Sequence, residues 1–307
     1  MKKIVVLFLA TLISISALFA QSLTVATYNI RYENQGDVSN GNGWKQRYPV
    51  ITQLIRFNDF DIFGSQEVVN GQLKDMLSQL PEYSYIGVGR DDGLEKGEYA
   101  PIFYKKDKLL LVKSGHFWLS ETTDKPNVGW DAALPRICTW GQFKIKKNGK
   151  SFWFFNLHMD NIGVKARLES SKLVLGKIRT MCGDKPVILT GDFNVDQTSE
   201  GYQLIAGSGI LKDSYETAEI RYALNGTFNG FDPNLKTDSR IDHIFVSKDF
   251  HVVRYGVLTD TYRAEVGTES AKDLKSANFP KEVSLHQYVP RLPSDHFPVK
   301  VELILGK

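Results

Sequence analysis

Short apolar runs keep ending in acids, amides and imidazoles, and that recurrence constrains the fold more than any other feature of the sequence. "LTVATYN" alternates apolar with small or polar positions and reaches Asn29. "FDIFGSQEV" ends at Gln66 and Glu67, and "SFWFFNLHM" ends at His158 with Asp160 just beyond. "KPVILTGDFN" delivers Asp192 and Asn194, "SRIDHIFVS" carries Asp242 and His243, and "LPSDHFPVKVELIL" holds Asp295 and His296 before the terminal strand. Side chains on a strand repeat every two residues, so Asp192 and Asn194 can point the same way. A fold that brings these ends together creates one polar cleft. A fold that does not leaves six ordinary turns.

Between the strand-like runs lie helical segments. Residues 44–57 place Val50, Leu54 and Phe57 near one face, with Pro49 implying a late start or a kink. Gly71 to Leu80 and Val164 to Arg179 read as two further helices. "YSYIGVGR" and "YAPIFYKK" read as paired strands around a loop at 89–98. "RICTWGQFKI" and "SFWFFNLHM" read as a hairpin turning at "KKNGKS". Residues 120–135 form a long irregular stretch. There is no heptad, short-period repeat or linker, so one α/β sandwich with much antiparallel pairing is expected over residues 21–307.

Residues 1–20 are expected to stand outside that unit. Lys2 and Lys3 precede the apolar stretch Ile4 to Ala20, which ends in "LFA". This is the pattern of a secretory signal peptide, and it implies a periplasmic or secreted protein. The competing reading is a membrane anchor; no Cys stands at the cut to carry a lipid. Losing Lys2 and Lys3 takes the 38 basic residues to 36 against 35 acidic ones. Nothing in that balance calls for tight binding to nucleic acid or to anionic membranes. Cys138 and Cys182 lack the spacing of a zinc or redox motif, and two free or buried thiols are favoured over a disulfide.

The polar set itself suggests chemistry. Carboxylates, amide oxygens and imidazoles suit Mg²⁺ or Mn²⁺ and do not resemble a sulfur-rich zinc site. Such an ion polarises a phosphoryl oxygen and screens growing negative charge. Taken singly, "GDFN" or "SDH" is a turn. Taken in order, "TYNIR", "GSQEV", "NLHMD", "GDFN", "RIDHIFVS" and "SDHFPV" closely resemble the endonuclease/exonuclease/phosphatase superfamily, across residues 23–302. The resemblance implies a DNase I-like four-layer α/β sandwich, two mainly antiparallel β-sheets flanked by helices, in a secreted bacterial member.

It also implies divalent-metal-dependent phosphoester hydrolysis, usually with Mg²⁺ and alternatively with Mn²⁺. By motif, Glu67 is the principal metal carboxylate, Asn29 supports it, and Asp295 is a second metal-side carboxylate. Asp192 orients the attacking water, and Asn194 binds a phosphate oxygen. His296 binds the phosphate, and Asp242 holds its ring. His158 protonates the leaving oxygen or binds the phosphate, while Arg136 and, more weakly, Arg31 contact the substrate. Asp160 is read as wall or loop, and His243 as structural. No Ser or Cys stands out as a nucleophile, so one-step hydrolysis is expected.

The substrate is harder to read. The first expectation is a phosphodiesterase or nuclease; the alternative is a sugar- or inositol-phosphate phosphomonoesterase. A sphingomyelinase-like enzyme and a noncatalytic binding protein rank lower. "HFWLS" and Trp130 line a ligand or belong to the core, and Thr227 and Phe228 in "GTFNG" suggest a substrate wall. A monomer without a stable membrane anchor is expected, whose partner is a phosphoester substrate, either nucleic acid or a small phosphorylated sugar.

Overall fold

The computed structural model describes residues 22–265, 280 and 288–306. The expected leader at 1–20 lies outside the described residues. Along the chain, β1 (Ser22–Asn29) leads to α1 (Gln35–Ser39), α2 (Trp44–Phe57), β2 (Ile62–Gln66) and α3 (Asn70–Gln79). Next come β3 (Tyr83–Ile86), β4 (Ile102–Lys105), β5 (Leu109–Trp118), β6 (Ile137–Ile145) and β7 (Ser151–His158). The central part holds α4 (Val164–Cys182), β8 (Val187–Asp192), α5 (Glu200–Ala206), β9 (Leu211–Asp213), α6 (Ser214–Thr217) and β10 (Ile220–Tyr222). The last strands are β11 (Asp242–Ser247), β12 (Phe250–Val257), β13 (Tyr262–Glu265), β14 (Tyr288–Arg291) and β15 (Val299–Leu305).

Two mixed sheets stack face to face. One runs β10-β12-β15-β1-β2-β4-β3 and the other β5-β6-β7-β8-β11-β9, with β13 and β14 as a separate ribbon. Pairing is antiparallel except for β1 with β2, β10 with β12 and β7 with β8. The expected β6–β7 hairpin and β3–β4 pair are present. α2 begins at Trp44 despite Pro49, because only one turn precedes the proline and a single backbone bond is lost. α4 runs past Arg179 to Cys182 and ends at Gly183, whose φ of +57° suits a residue without Cβ. The short α1, α5, α6, β9 and β10 and the β13–β14 ribbon lack enough residues for a readable period.

Burial follows strand parity. Leu23 and Val25 of β1 face the space between the sheets, while Ala26 and Tyr28 pack under Trp44, Ile51, Leu73 and Met76 of α2 and α3. On the other sheet, Phe152, Phe154, Ile188 and Ile244 face inward, and Phe155, Leu189 and Phe245 pack under Val174 and Ile178 of α4. The result is helix, sheet, sheet, helix. Both cysteines are buried and free in these layers.

Stepping two residues at a time along the inward faces leads from the core to the site. Val25 is followed by Thr27 and Asn29, Phe154 by Asn156 and His158, and Ile188 by Thr190 and Asp192. A buried polar belt separates the two regions. Asn156 Nδ2 donates to the carbonyls of Ser65 at 2.8 Å and Pro101 at 2.9 Å. Its Oδ1 accepts from Gln66 Nε2 at 2.7 Å and Thr190 Oγ1 at 3.0 Å. That satisfies the whole amide, which a dry interior requires. Gly64 makes room for it: a Cβ there would overlap Asn156 and Thr190.

Candidate active site

The carboxyl ends of β1, β2, β7 and β8 converge above this belt with the start of β11 and the approach to β15. Three of the turns leaving these strands place a non-glycine residue in the left-handed region: Arg31 at φ +58°, Glu67 at +60° and Asn194 at +50°. Such conformations cost energy and persist where their surroundings hold them. Arg47 of α2 supplies part of that hold. It is fully buried and donates to the carbonyls of Ile30 and Asn42 at 2.7 Å, Pro293 at 3.0 Å and Arg31 at 3.1 Å. One guanidinium thus ties the exit of β1 to the loop carrying Asp295.

Asn29 is the hub. Its Nδ2 donates to Glu67 Oε1 and to Asp192 Oδ2, both at 3.0 Å, and lies 3.5 Å from His296 Nε2. Asp192 Oδ1 accepts the backbone N–H of Asn194 at 2.9 Å, and Asn194 Nδ2 bonds the Met159 carbonyl at 2.9 Å. The turn role expected of this pair therefore coexists with its place at the site. His296 Nδ1 lies 2.9 Å from Asp242 Oδ2. The backbone N–H of Asp242 in turn bonds Thr227 Oγ1 at 3.0 Å. Burial opposes a charge on His296, but Asp242 and Asp192 outweigh it and raise its pKa well above the usual histidine value.

His158 behaves oppositely. Burial, reinforced by Arg136, pushes its pKa down to about 3, so the ring is neutral. Arg136 Nη1 lies 3.3 Å from His158 Nε2. A guanidinium only donates, so Nε2 accepts and the ring proton sits on Nδ1, 3.6 Å from Glu98 Oε2. Asp160 faces Arg136 rather than the cleft, accepting Arg136 Nε at 3.1 Å and the N–H groups of Ile162 and Gly163. His243 lies on the outer face against Phe193 and Tyr202, bonding the Val195 carbonyl at 2.9 Å. Trp118 and Phe117 of "HFWLS" are core residues.

The cleft opens as a cavity of about 440 Å³. All three arginines on its wall (Arg31, Arg90 and Arg136) face carboxylates, and with the charged His296 they match Glu67, Glu98, Asp192 and Asp295 four to four. Arg31 Nη1 stands 3.9 Å from Glu67 and 3.7 Å from Asp295, and its Nε bonds Asp37 at 3.0 Å. Phe228 joins the wall with its ring edge to His296 at 5.1 Å between centroids.

The donor set fits a divalent cation. Ligand atoms of Glu67, His158 and Asp192 lie within 4.8 Å of one another, as do those of Asp192, Asp242 and His296; with His158 Nε2 accepting from Arg136 and His296 charged, the carboxylates are what these groups offer a cation. Burial raises the pKa of Asp192, helped by Asp242, and burial likewise raises that of Asp295, helped by Glu67. Crowded carboxylate oxygens of this kind are the ligands Mg²⁺ and Mn²⁺ prefer.

Every residue expected from the motifs is therefore within this cluster: Asn29, Arg31, Glu67, Arg136, His158, Asp192, Asn194, Asp242, Asp295 and His296. Arg90, Glu98 and Asn161 of the cavity wall were not anticipated, nor was Arg47 beneath it. The first two come from a loop without periodicity, and a lone Arg on a helix carries no sign of burial.

Comparison with known proteins agrees with this geometry. Residues 26–296 match the Endonuclease/Exonuclease/phosphatase family. A solved protein of that family from Bacteroides thetaiotaomicron is 58% identical, with a TM-score of 0.86 over 94% of this chain and 99% of that one. A mannosyl-6-phosphatase from Bacteroides thetaiotaomicron is 57% identical, with a TM-score of 0.84 over 92% of this chain and all of that one (100%). An uncharacterized protein of Acanthamoeba polyphaga mimivirus is 30% identical over 215 residues, 66% of this chain and 79% of that protein.

Proposed function

This chain belongs to the endonuclease/exonuclease/phosphatase family, and from that premise we propose that it is a divalent-metal-dependent phosphomonoesterase acting on a phosphorylated sugar. The observation that carries the choice of monoester over diester is the likeness to a mannosyl-6-phosphatase at 57% identity over that protein's full length. The cavity supports it. At about 440 Å³ it suits a small molecule, and its cations do not exceed its carboxylates. A polynucleotide would call for an excess of cations along a track.

In this reading Glu67 and Asp295 hold the cation, with Asn29 fixing the Glu67 carboxylate. The bound ion supplies positive charge that screens the phosphoryl oxygens. The remaining work falls to the chain. His296, kept charged by Asp242, donates to one phosphate oxygen, and Asn194 stands beside another. Asp192 has Oδ2 at the centre of the cleft, where it orients water for in-line attack. Arg136 is oriented by His158 and Asp160 to meet the substrate side. The segment at 1–20, with Lys2 and Lys3 before its apolar run, supports export to the periplasm or beyond.

The test is phosphate release from mannose 6-phosphate beside cleavage of bis-(p-nitrophenyl) phosphate, with Mg²⁺ and with EDTA. The monoester should be strongly preferred and EDTA should abolish turnover. Preference for the diester would overturn the monoesterase reading and favour a nuclease or phosphodiesterase.

A further inference from the structure

The loop at 89–98 does not wander over the surface. It folds back as a tight hairpin between β3 and β4. The Arg90 N–H bonds the Glu98 carbonyl at 3.0 Å, Asp91 bonds Lys96 at 3.1 Å, and Gly89 bridges Tyr99. Asp92 Oδ1 closes the tip by accepting the N–H groups of Leu94 and Lys96. A Cβ at Gly89 would strike the Lys96 backbone, so the close approach needs glycine there. Trp118 Nε1 donates to the Arg90 carbonyl at 2.8 Å and moors the hairpin to the second sheet.

This hairpin sets Arg90 and Glu98 opposite each other on the cavity wall. Their side chains pair closely: Nη2 donates to Oε1 at 2.9 Å, and Nη1 lies 2.8 Å from Oε2 as an ion-pair contact outside hydrogen-bond geometry. The carboxylate keeps acceptor lone pairs and the guanidinium keeps N–H donors beyond those two contacts. Arg90 Nε, Glu98 Oε2 and His158 Nδ1 are buried without a hydrogen-bond partner in the protein.

We infer that the Arg90–Glu98 pair is the subsite that reads the ring hydroxyls of a hexose phosphate. The inference rests on the phosphomonoesterase reading and deepens it. Two features choose hydroxyls over a second phosphate. Arg90 is already neutralised by Glu98, and Arg136 beside it by Asp160, so this wall has no free positive charge for another anion. A carboxylate and a guanidinium side by side present acceptor and donor together, which is what adjacent sugar hydroxyls match. The spacing also suits: Glu98 and Asp192 lie on opposite sides of the His158 imidazole, each 3.6 Å from one of its nitrogens. A sugar ring extends from its phosphate across a comparable gap.

The test compares kcat/KM of the parent, Glu98→Gln and Arg90→Met on mannose 6-phosphate, monodeoxy hexose 6-phosphates and p-nitrophenyl phosphate. The variants should lose at least about tenfold more on mannose 6-phosphate than on the aryl ester, mainly through KM. Removing the hydroxyl that is read should cost the parent heavily and cost Glu98→Gln little more. Equal losses on sugar and aryl esters would overturn the subsite while leaving the monoesterase reading intact. A parent indifferent to every single hydroxyl deletion would overturn it without any variant. A parent that cleaves the aryl ester but no hexose phosphate would overturn the subsite and the sugar-phosphate reading, and one that cleaves only the diester would overturn the monoesterase reading as well.

Discussion

Asn29 and Asp192 stand 163 positions apart in sequence and meet across the gap between the two sheets, Nδ2 donating to Oδ2 at 3.0 Å. One comes from β1 of the first sheet and the other from β8 of the second. The site exists only where the sheets pack, and each half supplies groups that the other must satisfy.

Replacing Asn29 with Ala tests that hub. Glu67 Oε1 and Asp192 Oδ2 would lose a shared buried donor, costing roughly 1–3 kcal/mol of stability. Turnover should fall at least about 100-fold, because the carboxylates lose their fixed orientation. Phosphate-release rates beside a thermal melt check both, and a variant as active as the parent would refute the role.

Asp242→Asn should alter the pH profile. A histidine whose folded pKa is raised contributes stability that is fully present below its unfolded value of about 6.5 and lost as pH rises through the folded value. His296 is such a group, with burial opposing its charge and Asp242 overcoming it. Neutralising Asp242 should therefore move the alkaline fall in activity to lower pH. Rates from pH 5 to 9 and an NMR titration of the ring would show this; coincident profiles would contradict it.

His158 carries the opposite sign. Its folded pKa is pushed down to about 3, first by burial and then by Arg136, so the unfolded chain binds the proton first. That dependence makes stability fall as pH drops from about 6.5 towards about 3, by roughly 2 kcal/mol at pH 5. His158→Gln should flatten the dependence. Urea midpoints at pH 7 and pH 5 for both proteins give the measurement.

Gly64→Ala should be costly although it adds one methyl. The new carbon would overlap Asn156 and Thr190 and break the satisfied belt beneath the site. Overpacking with displaced hydrogen bonds predicts at least about 2 kcal/mol. An unchanged melting temperature would mean that the belt yields more readily than its bonds imply.

Mg²⁺ should raise the thermal midpoint of the parent, since an ion bound only by the folded state stabilises it by about 2.7 kcal/mol at a hundred times its Kd. Glu67→Gln should remove most of that increment. A melt insensitive to Mg²⁺ in the parent would count against the carboxylate cluster as a cation site.

Much of the site was legible before the fold. Period two carries Val25 to Asn29 and Ile188 to Asp192, so local pattern already marks which strand ends are polar and on which face. The long α2 and α4 were readable from the 3.6-residue period, although Phe57, expected on the apolar face of α2, is 91% exposed, and the family was readable through its ordered motifs. Arg90 and Glu98 were not, because a ten-residue loop without periodicity looks alike whether it hangs in solvent or folds back as a hairpin. Arg47 looked like any helical arginine until four carbonyls from three segments closed around it.

The sequence by itself determined the longer strands, their inward faces and the residue types at their ends, because backbone geometry couples neighbours two to four positions apart. Tertiary structure alone decided which ends meet. The order of strands in each sheet brings Asn29, Asp192 and His296 within bonding reach and leaves His243 on the outer face. It also leaves one histidine charged and the other neutral. His296 is drawn up by Asp242 and His158 is pushed down by burial, and both effects depend on distances that no local pattern encodes.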